Sequence, residues 1–96
     1  MLVCNGDLSF ECSKLKTNII GATQCVQFDI FAPVSPGDIE KLFADDTFYF
    51  YDEILNGRLP DTDNKKLVGL RIVYNADSTC KIIIKLTQKG VVIDES

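Results

Sequence analysis

Two pairs of neighbouring carboxylates, Asp45-Asp46 and Asp52-Glu53, come closest in this sequence to a catalytic pattern. Glycoside hydrolysis or a metal-assisted reaction needs two such groups at a fixed separation. Adjacent side chains on a strand point to opposite faces, so Asp52 and Glu53 are not expected to share one ligand; paired acids in a loop seldom hold the spacing either. A third group, Asp61-x-Asp63, opens like a calcium loop. Lys65 then occupies the next alternate position, Lys66 stands where the turn glycine belongs, and no glutamate closes the ~12-residue loop such a site requires.

The chain of 96 residues contains no histidine. That removes the commonest general base near neutral pH and every histidine-dependent nucleophilic triad. The four cysteines, Cys4, Cys12, Cys25 and Cys80, form no C-x-x-C pair for zinc or redox work, and none lies near the Ser35 helix cap that would activate a thiol. Cys12 and Cys80 fall in phase with apolar strand faces and read as reduced core thiols. An even count also permits two disulfides in an exported protein, but the N-terminus has no basic and apolar leader. The six glycines form no phosphate-binding loop. A protein without catalytic, cofactor or metal site, and so not an enzyme, is the expectation.

Charge placement is the remaining signal. From Asp38 to Asp63, eight acids face two bases, Lys41 and Arg58, a local charge of −6, whereas the rest of the chain balances at +2. Phe48-Tyr49-Phe50-Tyr51 lies within that acidic stretch; if the phenylalanines enter the core, the tyrosines share the opposite face with Glu53. Tyrosine offers contact area at low entropic cost plus a hydroxyl. Asp45, Asp46, Tyr49, Tyr51, Asp52, Glu53, Asp61 and Asp63 are therefore the candidate partner-binding residues, suited to a basic protein surface. The competing account has the acids solubilise loops while the tyrosines pack under the excursion from Ile54 to Lys66 or across an oligomer contact. A net charge of −4 disfavours direct nucleic-acid binding, with Lys81, Lys85 and Lys89 only a sparse row that keeps a sheet edge soluble.

The elements carrying these residues follow from periodicity. Asn5-Gly6 predicts a tight hairpin between Met1 to Cys4 and Asp7 to Cys12, and Leu15 breaks the phase of Leu8, Phe10 and Cys12, placing a bulge or turn near Ser13-Lys14. Thr23 to Ala32 alternates as a strand. Ser35-Pro36-Gly37-Asp38 then reads as a helix start, with Ile39, Leu42 and Phe43 as the buried stripe and an end near Ala44. Thr47 to Glu53 is a strand, Asn56-Gly57 a turn, and Pro60-Asp61-Thr62-Asp63-Asn64 a polar loop. Leu67 to Tyr74 and Thr79 to Gln88 pair as a hairpin, and Gly90 releases the tail Val91-Val92-Ile93-Asp94-Glu95-Ser96, an edge strand or a frayed end. Residues 1–96 thus form one α+β domain, a mostly antiparallel sheet of roughly five to seven strands with one short helix packed on one face.

Val26 to Ala32 followed by Ile39-Glu40-Lys41-Leu42-Phe43, then Leu67-Val68-Gly69-Leu70-Arg71-Ile72 and Lys81 to Leu86, resembles the small α+β proteins that bacteriophages and prophages encode. The resemblance transfers no functional residue. With no apolar run of membrane-spanning length, it implies a protein of the bacterial host cytoplasm. Two functions are expected from different classes. One is a non-enzymatic binding protein, such as a phage inhibitor occupying a host nucleic-acid site as anti-CRISPR proteins do. The other is a structural or assembly subunit of a phage particle, a homo-oligomer that buries the aromatic run and the Val91-Val92-Ile93 tail between protomers.

Overall fold

Alternation with period two, read at strand after strand, builds the core. A computed structural model describes residues 1–63 and 65–88. Along them run β1 (Leu2–Asn5), β2 (Leu8–Glu11), β3 (Lys16–Ile20), β4 (Thr23–Ile30), helix α1 (Pro36–Leu42), β5 (Tyr49–Asp52), β6 (Gly57–Arg58), a 3-10 turn at Pro60–Thr62, β7 (Lys65–Tyr74) and β8 (Cys80–Gln88). The α+β class holds, but neither the single sheet nor the count of five to seven strands does: the described residues form eight strands. There are two four-stranded antiparallel sheets, ordered β2-β1-β5-β6 and β3-β4-β8-β7.

The division occurs at the phase break near Ser13. Cys12 N–H donates to the Met1 carbonyl in the first sheet at 2.8 Å, and Ser13 N–H donates to the Asp29 carbonyl in the second at 2.9 Å. The Ser13 hydroxyl in turn accepts from Asp29 N–H at 2.9 Å. The chain therefore changes sheets between two successive residues, and every donor at the crossing finds an acceptor.

Each sheet turns one face inward. Val3 and Phe50 from the first sheet meet Val26, Phe28, Ile30, Ile82, Ile84 and Leu86 from the second in one buried cluster. The Phe28 and Phe50 rings cross edge to face, with centroids 5.2 Å apart and planes at 83°. Phe48 continues the chain of rings to Phe43, at 6.1 Å from Phe50 and 5.1 Å from Phe43. Such edge-to-face contacts add about 0.5–1.5 kcal/mol each to the burial of the rings.

The helix begins as its sequence demands, with Ser35 Oγ accepting from Asp38 N–H at 3.2 Å and Pro36 in the first turn. It stops at Leu42 rather than Ala44, because Asn5 Nδ2 donates to the Leu42 carbonyl at 2.8 Å and Phe43 turns into the core. Ile39 and Leu42 enter the core the two sheets share.

Two local differences have clear causes. Asn5 pairs with Leu8 inside the first hairpin, so the turn is Gly6-Asp7, with Gly6 at φ 59°, and not Asn5-Gly6. Glycine supplies the positive φ at the first central position, and the Asn5 side chain is held by the helix end. β3 was not foreseen, because all five residues are exposed and carry no alternation. A second tight turn, Gly21-Ala22 with Gly21 at φ 60°, lays β3 on β4. The expected pairing of β7 with β8 is present, with a register shift between Leu67 and Gly69. Asn64 and the tail from Gly90 lie outside the described residues.

Replacing Phe50 by Ala should cost about 3–5 kcal/mol in urea denaturation. The Phe28→Ala, Phe50→Ala double variant should lose less than the two single losses combined, because the contact they share is removed only once.

Candidate functional site

β5 sorts its aromatic residues by face. Phe50 and the preceding Phe48 are buried, while Tyr49 and Tyr51 are half-buried on the outer side of the first sheet. There Tyr51 lies between Leu2 and Arg58, and Tyr49 lies opposite Cys4. The Arg58 guanidinium sits 4.0 Å from the centroid of the Tyr49 ring. The Tyr51 hydroxyl donates to Asn56 Oδ1 across the hairpin loop.

The loop from residue 53 to 56 joins β5 to β6 and is longer than an Asn-Gly turn. Asn56 takes φ 54°, and Asp52 Oδ1 accepts from Ile54 N–H at 2.9 Å and Leu55 N–H at 3.4 Å. With both N–H groups held by Asp52, the two aliphatic side chains stand in solvent: Ile54 is 89% exposed and Leu55 65%. Glu53 lies at 3.8 Å from the Met1 ammonium. Tyr49, Tyr51, Asp52 and Glu53 thus come together with an apolar tip that the sequence reading missed.

The other acids lie elsewhere. Asp45 and Asp46 precede β5, at the end opposite the hairpin loop. Asp45 Oδ1 accepts from Thr47 N–H at 2.9 Å, from Thr47 Oγ1 at 2.5 Å and from Asn5 Nδ2 at 3.3 Å. Asp46 Oδ1 accepts from Leu67 N–H in β7 at 2.9 Å. These carboxylates fasten the helix exit to β1 and to the second sheet. Asp63 is half-buried beside the 3-10 turn, and the Asp61 side chain lies outside the described residues.

A second surface forms on the outer face of the β3-β4-β8-β7 sheet. Ladder partners point the same way, so Lys16, Gln27, Ile83 and Arg71 make one rung across all four strands. Lys85 flanks that rung beside Cys25 and Gly69, and Lys81 flanks it beside Asp29 and Val73. Lys66, paired with Thr87, continues the same face, so five cations face one carboxylate, and among the described residues none of the five makes an ion pair. Sequence spacing showed only the lysines of β8, because Lys16, Lys66 and Arg71 reach this face through pairing of distant strands. Lys89 lies outside the described residues.

Burial pushes the Cys12 thiol up to about 12, against the pull of the nearby N-terminal ammonium, and burial with the charge of Asp29 raises Cys80. Both are poor nucleophiles in this state. Among the described residues no group of three His, Cys, Asp or Glu side chains is placed to hold a metal ion, and no helix is long and apolar enough to cross a membrane. A cavity of about 610 Å³ beside β3 is lined by Thr17, Ile19, Gln24, Lys65 and Gln88, among others, with no carboxylate or thiol among the described residues. No protein-family model, curated protein or solved structure matches the chain.

Asp52→Asn should leave stability nearly unchanged, since the amide oxygen still accepts from the loop N–H groups, whereas Asp52→Ala should cost about 1 kcal/mol in thermal unfolding. In native protein near neutral pH, a thiol reagent should modify half-buried Cys25 first, with Cys12 and Cys80 reacting only on denaturation; mass spectrometry of the labelled peptides reads the order.

Proposed function

We propose that this protein is a non-catalytic binding module that engages a basic protein surface through its β5–β6 hairpin. The observation that carries the reading is the pairing of two outward tyrosines with the projecting Ile54-Leu55 tip beside Asp52 and Glu53. Interface hot spots combine such features, an apolar anchor that fills a pocket and aromatic area around it, with charges at the rim that set orientation and on-rate. Arg58, stacked on Tyr49, keeps the tyrosine face from being uniformly acidic and holds the ring in place. A partner whose basic groove normally holds phosphate suits this surface, and a small protein seated there acts as an inhibitor, the role the phage resemblance implies.

A homo-oligomeric assembly subunit is the second reading. It is favoured by β3, an edge strand that leaves Ile19 71% and Ile20 69% exposed with its outer edge unpaired among the described residues.

Affinity capture from bacterial extract should retain a partner on the wild-type protein that elutes as salt is raised. Asp52→Asn with Glu53→Gln, which removes charge and preserves the loop, should weaken that retention by roughly tenfold, and Ile54→Asp should abolish it. Equal retention by all three proteins would overturn the reading.

A further inference from the structure

The hairpin calls for a surface that is basic around an apolar hollow, and the molecule carries such a surface itself. At the register shift in β7, Val68 and Ile83 line a hollow of about 380 Å³ with Arg71 and Lys85 beside them, and Leu70 borders it from the ladder position opposite buried Ile84. Gly69 shapes it: a Cβ there would come within 3.3 Å of the Lys85 stem, which lies flat across the glycine toward the hollow. Among the described residues the most exposed aliphatic pair, Ile54-Leu55, is preceded in sequence by two acids. The rungs themselves carry no aromatic ring, and exposed Phe31 lies past Asp29 at the end of β4 away from the hollow, so the apolar centre fits a protein segment better than a nucleic-acid base.

We infer that a second copy of this chain docks here, with Ile54 and Leu55 of one copy in the hollow of the next and Asp52 and Glu53 against Arg71 and Lys85. The inference rests on the docking role proposed for the hairpin and names its partner. The outer face of the second sheet is turned away from the first, so the hairpin cannot reach its own hollow and the contact runs between copies. Donor and acceptor surfaces differ, which makes the interface head-to-tail. Each added copy leaves one surface of each kind free, and the assembly grows as an open chain or closes as a ring. The Glu53 contact with the Met1 ammonium is no obstacle, because a single ion pair at 3.8 Å with its carboxylate about half exposed contributes little.

Sedimentation velocity on the full chain tests this. Mass should rise with protein concentration at low salt and return toward monomer as salt screens the rim charges. Ile54→Asp, and separately Arg71→Glu with Lys85→Glu, should each weaken self-association by about tenfold or more. All these positions are exposed, and far-UV circular dichroism with a melting curve checks that each variant folds; Leu55→Asp substitutes if Ile54→Asp does not. Mixing the two variants should give a one-to-one complex that grows no further, since one intact hairpin meets one intact hollow. A wild-type monomer at every concentration, or variants that associate like wild type, or a mixture that does not pair, would overturn the inference. Retention of a foreign basic partner by the Arg71→Glu, Lys85→Glu protein would show that the hairpin reading stands although the second copy is not its partner.

Discussion

The edge-to-face contact between Phe28 and Phe50 lies in the buried cluster that holds the two sheets together. A four-stranded sheet with one apolar face cannot stay unpartnered in water, and neither sheet is large enough to bury that face alone. Because the contact fixes Phe50 inward, the two-residue period of β5 leaves Tyr49 and Tyr51 no choice but the outer side. The same constraint reaches the helix, since Phe48 and Phe43 extend the rings to the segment that Ile39 and Leu42 anchor. The outward display of the tyrosines is therefore a consequence of core packing.

Polar contacts at the seams govern how the packed pieces connect. The crossing at Cys12-Ser13 hands the chain from one sheet to the other without leaving a donor unpaired. Asn5 ties β1 to the helix end through Leu42 and to the following turn through Asp45 and Thr47. Asp46 covers an edge N–H of β7. Acids near one another in sequence thus do different work: some hold the seams, and Asp52 with Glu53 stands at the hairpin. Asp52 shapes the loop through the backbone N–H groups it accepts from and stands beside Glu53 at its base.

The strongest elements were legible because local and tertiary signals agree there. Val26, Phe28 and Ile30, the cap at Ser35-Pro36, and the facing arms of β7 and β8 each carry a period or a cap that has one reading. β3 was not legible: Lys16 to Ile20 is exposed on both faces, so no alternation marks it, and pairing with β4 alone makes it a strand. The first turn was misplaced by one residue because Asn5 has side-chain partners far along the chain, which local turn preference does not register.

From its residues alone the chain specified the strand faces, the helix start, the absence of histidine chemistry and the division of β5 into phenylalanine and tyrosine sides. All of these depend on spacing within a few positions, which the polypeptide geometry converts directly into direction. Folding in three dimensions settled the rest: the split into two sheets, the parting of Asp45 and Asp46 from Asp52 and Glu53, the exposure of Ile54-Leu55, and the meeting of Lys16, Lys66, Arg71, Lys81 and Lys85 on one face. Those arrangements arise from contacts between segments tens of residues apart, whose register is set by which apolar faces can be buried together and not by any pattern within one segment.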